Sequence, residues 1–342
     1  MTSVLCFYHS PCNDGSASAA ALQHRLQQAN YREGDYDIRF CPLTYTTEWD
    51  QPLPENYLDN EVMPKHAVSE IFIVDLSLSK VKFEQIIEHL RSHDRIDEGE
   101  LPRVVCIDHH STALDKVDEL NAYCDETYIK IGAGLSGATL VWNYFNDRLG
   151  EARETPLLLQ YVADQDIWEW KLEKSKEVNA ALNLLNGTVE DMSVELDACL
   201  ESPERWLAER TERGGAIVAM VEAQVHRAAR QVAELPAEET ILLVVNSTSF
   251  NSELGNYLCE HHENSPNAVA LIYTIQDDWA LRCSVRSIPG GKVTARQIAE
   301  KFGGGGHEHA AGCRFPDYAG FRAALIELQG AAATAAGQEQ EG

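Results

Sequence analysis

The sequence has no CxxC pair, no apolar run long enough to cross a membrane, and little positive charge. Each shortage excludes something. The nine cysteines are scattered singly, several inside apolar runs where a reduced thiol behaves as a small hydrophobe, which points to a reducing, cytoplasmic setting. The opening MTSVLCFYHS has no basic segment ahead of an apolar one, so a soluble chain without membrane association is expected. Only 28 Lys and Arg stand against 54 Asp and Glu, and the resulting −26 repels a polyanion wherever cations do not locally reverse the field. Long-duplex binding is not expected on that ground, and an anionic substrate would need a small, specific cationic pocket. What is present is a chain of 342 residues with 44% apolar content, enough for two domains with real cores.

The first half alternates strand-like and helix-like runs. The strands read 4–8 (VLCFY), 37–41 (DIRFC), 70–77 (EIFIVDLS) and 103–110 (RVVCIDHH), nearly continuous in apolar character, as parallel strands buried on both faces should be. Helical patterns cover 17–28, 81–93, 136–147 and 155–165. The expected fold is α/β: an N-terminal doubly wound, mostly parallel sheet, linked by a long helix to a smaller αβ domain with a mixed sheet. Residues 1–202 form the first domain, 203–236 the connecting helix, 237–330 the second domain and 331–342 a flexible tail. In the second domain 241–246 is a strand, 252–261 a helix, two strands meet at Asp277 and Asp278, and the helix 295–302 ends in four glycines.

In an open parallel sheet, ligands bind beyond the carboxyl ends of the strands. Strand one ends at His9, with Cys12 and Asp14 just beyond; the third run ends at Asp75; the fourth ends in Asp108, His109 and His110; and Asp164 follows an apolar helical stretch. Each alone reads as a cap or turn residue. Together they would gather like charges at one edge, which is expensive unless cations neutralise them. A divalent metal site follows, with two metals sharing an aspartate. In the second domain, alternation along WALRCSVRS puts Arg282, Ser284 and Arg286 on one face. Gly303, Gly304, Gly305 and Gly306 let backbone N–H groups approach a ligand, or serve as a helix cap and turn, and His307 follows them. The GLSGA stretch at 134–138 lacks the last glycine of a nucleophile elbow and reads as a helix start with Ser136 at its cap.

Taken in order, His9 to Asp14 with Gly15, VDLS at Asp75, DHH at 108–110, VADQDIW at Asp164, RS at Arg286 and Ser287, and GGGGHEHAAG at 303–312 resemble the DHH phosphoesterase superfamily with its DHH-associated C-terminal domain, RecJ-like and nanoRNase-like. The resemblance implies that His9 and Asp75 serve one metal, while Asp14, Asp75, His109 and Asp164 serve the second. It further implies that Asp75 bridges, that His110 faces the substrate phosphate, that Asp108 orients a histidine, and that Arg286 and His307 grip phosphate beside Gly304, Gly305 and Gly306. Asp166 ranks below Asp164 as a ligand. Family members place an aspartate two residues before the one matched by Asp14, where this chain has Cys12; a thiolate there favours a softer ion, and a neutral thiol lining the pocket fits equally.

The expected activity is metal-dependent hydrolysis of short oligonucleotides to mononucleotides by a metal-activated water, with Asp75 and His110 as catalytic residues. Two divalent ions are expected per chain, manganese first, with magnesium and cobalt as alternatives. Other readings are a phosphatase or phosphodiesterase acting on nucleotide bisphosphates, cyclic dinucleotides, polyphosphate or pyrophosphate, and a metal- or nucleotide-sensing module whose chemistry was lost with the Cys12 change. A homodimer is compatible with the sequence.

Overall fold

The structure is a computed structural model and describes residues 2–28, 35–44, 49, 51–54, 57–58, 64–96, 100–237 and 239–339. It divides into two compact units, Met1–Val218 and Ala219–Gly342. The first opens with β1 (Thr2–His9), α1 (Asn13–Gln27), β2 (Tyr36–Leu43), β3 (Glu70–Val74), α2 (Lys80–Ser92) and β4 (Arg103–Asp108). The one-turn helices α3 (Ser111–Leu114) and α4 (Val117–Leu120) and strand β5 (Glu126–Ile129) follow. Then come α5 (Gly137–Leu149), α6 (Leu157–Asp166), α7 (Ser175–Leu182), α8 (Val189–Glu201) and the long α9 (Pro203–Ala229), which runs across the unit boundary.

The first sheet is wholly parallel, in the order β2-β1-β3-β4-β5. Alternate side chains of its central strands enter two different cores. Val4, Cys6, Phe72, Val74, Val105 and Ile107 face the layer built by α1, α5 and α6, and Leu5, Phe7, Ile71, Ile73, Val104 and Cys106 face the layer built by α2. Both faces are covered, which is why these strands read as unbroken apolar runs. Full burial of each such side chain is worth about 1.5–3 kcal/mol. Pro42 is accommodated because β2 is an edge strand.

The second unit adds β6 (Ala233–Ala237), β7 (Thr240–Asn246), α10 (Asn251–His261), β8 (Ala268–Ile275), β9 (Leu281–Arg286), α11 (Ala295–Lys301), β10 (Gly305–Gly306), β11 (Ala310–Phe315) and α12 (Tyr318–Glu339). Its sheet runs β10-β11-β9-β8-β7-β6, parallel between β7 and β8 and antiparallel elsewhere. Among the described residues no helix is long and apolar enough to cross a membrane.

Several elements depart from expectation. The helical pattern that includes Val232 ends at Ala229, and the chain from Ala233 becomes an edge strand that tolerates Pro236. Strands β5 and β11 carry weak signals, one only half-buried and the other starting in a glycine-rich motif. Across 331–339, expected as the start of a tail, α12 continues to Glu339 through an alanine-rich stretch of high helix propensity. Helix α1 begins at Asn13, four residues earlier than its apolar pattern suggests, so Asp14 lies in its first turn.

That early start requires Gly15. A Cβ there would sit 2.0 Å from the carbonyl oxygen of His9, backbone against backbone. Gly15→Ala is therefore expected to cost about 1–3 kcal/mol, read as a lower urea midpoint at unchanged slope. An unchanged midpoint would contradict the close packing of α1 on the end of β1.

Candidate metal centre

Strand order dictates where the site lies. The strand order reverses between β1 and β3, and their carboxyl ends are adjacent: Tyr8 pairs with Val74, and Val74 with Ile107 of β4. His9, Asp75 and Asp108 are thus delivered to one rim. Asp75 follows β3 directly in a left-handed conformation, φ +57°, with its N–H donating to the carbonyl of Ile107 at 2.9 Å. Aspartate tolerates that region better than most residues. Gly137, at the start of α5, makes room for it, since a Cβ there would lie 2.5 Å from Asp75 Cβ and 2.8 Å from Oδ1.

The carboxylate of Asp75 is 1% exposed. Its Oδ2 is 3.3 Å from His9 Nδ1 and its Oδ1 is 3.1 Å from His109 Nε2, yet neither oxygen sits in hydrogen-bond geometry with any described group. His109 Nε2 is also 3.3 Å from Asp166 Oδ2 and 3.7 Å from Asp14 Oδ2. Three sets of donor atoms converge within 4.8 Å: His9, Cys12 and Asp75; Asp75, His109 and His110; and Asp14, His109 and Asp166. A buried carboxylate whose two oxygens face two imidazole-bearing sets, without hydrogen bonds to the described residues, fits a shared ligand for divalent cations. The oxygen and nitrogen donors suit manganese or magnesium, and the Cys12 sulfur adds a softer donor to the set containing His9.

The surrounding residues fix these ligands. Asp14 accepts from Ser136 Oγ at 2.6 Å, Gly137 N at 2.6 Å and Ala138 N at 3.0 Å, so the first turn of α5 holds it. Asp108 accepts from the backbone N–H groups of His109 and His110 at 2.8 and 3.1 Å, from Ser77 Oγ at 2.6 Å, and lies 2.7 Å from His110 Nδ1. Expected as an orienting group, Asp108 is placed to orient both histidines. Ser77, Ser136 and Gly137 had no functional signal of their own beyond a cap at Ser136.

Asp164, expected as a ligand, has other partners here. Its carboxylate accepts from the backbone of Lys171 at 2.8 Å and Leu172 at 3.2 Å, closing the loop after α6, and it belongs to none of the three donor sets. Asp166 takes that place. Residues two apart on a helix project to nearly opposite sides, so only one of this pair can face His109.

Burial, then the charges of Asp14, Cys12 and Asp166, pushes Asp75 well above the usual carboxylate range. Burial and Asp14 push Asp166 up to about 8, although a quarter of its side chain meets solvent, which softens the effect. Burial and neighbouring His110 lower His9 to about 4, and burial with Asp14 raises the Cys12 thiol to about 12. Burial opposes charge on both members of the Asp108–His110 pair, but their mutual hydrogen bond prevails: Asp108 is held low and His110 high.

In the second unit, Arg286 ends β9 opposite Ala310, and His307 closes the β10–β11 turn with its N–H on the carbonyl of Ala310 at 2.9 Å. Both therefore lie at one end of that sheet. The Arg286 guanidinium donates to the carbonyl of Val285 and to Ser252 Oγ, each at 2.9 Å. Gly305 and Gly306 are exposed on the edge strand. The N–H of Gly304, expected to face an anion, bonds the carbonyl of Ala299 at 2.8 Å. Its missing side chain instead admits β11, since a Cβ would meet the Gly312 carbonyl oxygen at 2.1 Å.

Residues 239–334 match the DHHA1 domain family. The chain is 24% identical over 319 residues to the uncharacterized protein R106 of Acanthamoeba polyphaga mimivirus, covering 90% of this chain and 66% of that protein. It is 24% identical over 255 residues to oligoribonuclease NrnB of Bacillus subtilis (strain 168), covering 72% and 59% respectively. The chain thus spans less than two thirds of the length of either relative. An exopolyphosphatase-related protein from Bacteroides fragilis shares the fold with a TM-score of 0.51 at 13% identity, over 97% of this chain and 93% of that one.

The raised Asp166 carboxyl generates a signed expectation. A proton on it stabilises the ion-free fold fully below about 4, and this contribution is lost as pH rises through about 8. Manganese needs the ionised form, so the rise in melting temperature on adding Mn²⁺ should be larger at about pH 8 than at about pH 6, with protons released on binding. An equal rise at both would contradict the cluster. The C-terminal part of the chain, residues 239–334, thus carries a DHHA1 domain.

Proposed function

We propose that the protein is a metal-dependent phosphodiesterase that hydrolyses short oligonucleotides to mononucleotides. The observation that carries this reading is Asp75, a buried carboxylate between two imidazole-bearing donor sets with neither oxygen hydrogen-bonded among the described residues. His9, Asp14, Asp75, His109 and Asp166 would hold two divalent ions, manganese first, with Cys12 open as a further ligand. Such ions supply a water of near-neutral pKa as nucleophile and offset charge on the phosphoryl oxygens.

The chain's own groups do the remaining work. His110 Nδ1 lies 2.7 Å from Asp108, which orients the ring, and Nε2 would serve the substrate. The same hydrogen bond raises the pKa of His110, which favours the protonated ring, and its Nε2–H would donate to a phosphoryl oxygen as negative charge builds there. Arg286, held by Val285 and Ser252, and His307 bind a substrate phosphate on the second unit, beside Gly305 and Gly306. The oligoribonuclease relative supports short RNA as substrate. So does the net charge of −26, which disfavours long polyanions.

Asp75→Asn tests the reading. It should lower Mn²⁺-dependent cleavage of dinucleotides on the order of a thousandfold. The ion-free variant should melt no lower than the wild type at about pH 8, because a crowded negative charge is gone. Retained Mn²⁺-dependent turnover would sink the assignment. His110→Ala should cut kcat by about 10²–10⁴ with Mn²⁺ affinity unchanged; a matching loss of Mn²⁺ affinity would make His110 a ligand instead. A panel of dinucleotides, longer RNA and DNA, nucleotide bisphosphates and polyphosphate, scored by product mass, identifies the substrate class, with dinucleotides expected to be cleaved fastest.

A further inference from the structure

A cavity of about 340 Å³ shares Cys12, Asp14 and Asp166 with the metal centre. Its remaining polar wall carries no charge. It is built of four carboxamides, Asn13 from the start of α1, Gln165 from α6, and Asn183 and Asn186 from the turn between α7 and α8. Val162 and Leu185 supply apolar surface between them. Ser16 Oγ pins the turn to α1 by donating to the carbonyl of Gly187.

The carboxamides are arranged, not merely collected. Asn13 Nδ2 donates to Asn183 Oδ1 at 2.6 Å, across 170 residues of sequence. Each carboxamide has one donor and one acceptor end, so the pair leaves an acceptor on Asn13 and a donor on Asn183 that hydrogen-bond no other described residue. Exchanging the oxygen and nitrogen assignments of both groups reverses the two positions and still leaves one donor and one acceptor. Neutral donor and acceptor groups on one cavity wall are complementary to the hydrogen-bonding edge of a nucleobase, as asparagine is to adenine in base readout. A phosphate would gain nothing from it beside Asp14 and Asp166. The volume lies near the low end of small-ligand cavities, about 300–1,000 Å³, which suits one nucleoside and not a stacked series.

We propose that this cavity is a nucleobase subsite, in which the Asn13–Asn183 carboxamide pair reads the base of the nucleotide whose phosphate lies at the metal centre. The inference rests on the phosphodiesterase reading for that phosphate's position. It makes a further claim: recognition of a terminal nucleotide by the first unit itself.

The test measures equilibrium binding of the Mn²⁺-loaded full chain to each of the four 5′-mononucleotides and to ribose 5-phosphate, which has the same phosphate and sugar but no base. The wild type should prefer at least one nucleotide over ribose 5-phosphate by about tenfold, the worth of one to two hydrogen bonds. Asn183→Ala and Asn13→Ala should each abolish that preference, with Mn²⁺ affinity as the control for intact folding. Equal wild-type affinity for ribose 5-phosphate and all four nucleotides would overturn the proposal, as would variants that keep the preference. Failure of the phosphodiesterase reading shows separately, as absent Mn²⁺-dependent turnover of bis(p-nitrophenyl) phosphate, a phosphodiester with no base to read.

Discussion

Gathering several carboxylates at one buried rim costs several kcal/mol for each charge unless something of opposite sign joins them. The first unit is organised around that constraint. Asp14, Asp75, Asp108 and Asp166 come together where the strand order reverses, and two of the four have their charge met by the protein. Asp14 is held by the first turn of α5, and Asp108 by His110, Ser77 and two backbone N–H groups. Asp75 and Asp166 are not compensated in that way, and both are pushed towards the neutral acid. The deficit sits between imidazoles, where a divalent cation would remove it.

The same constraint explains local backbone features. Asp75 adopts a left-handed conformation at the end of β3, and Gly137 allows α5 to start against it. Gly15 allows α1 to start against the end of β1, placing Asp14 in the first turn. Side chains at either glycine would push these helices away from the rim and separate the carboxylates from His9 and His109. The glycines therefore matter to the site by absence of bulk, with no chemistry of their own.

Much of this was legible in the sequence, for a physical reason. Strands buried on both faces leave long apolar runs, and polar residues abruptly ending such runs mark the rim, so His9, Asp75, Asp108, His109 and His110 stood out. The choice between Asp164 and Asp166 was not legible, because it turns on helical phase in the last turn of α6 and on loop N–H groups that capture one of them. Nor was the role of Gly304, whose N–H is committed to the helix before it. Strand β6 was hidden by Pro236, and β5 by its half-buried pattern. The Asn13–Asn183 pair joins positions 170 residues apart and leaves no local pattern.

The most direct measurement is anomalous scattering at the manganese absorption edge from crystals grown with Mn²⁺. The account predicts two peaks, one on each side of the Asp75 carboxylate, one within ligand distance of His9 and the other of His109 and Asp166. Crystals that diffract well but show no anomalous peak within coordination reach of Asp75 would contradict it.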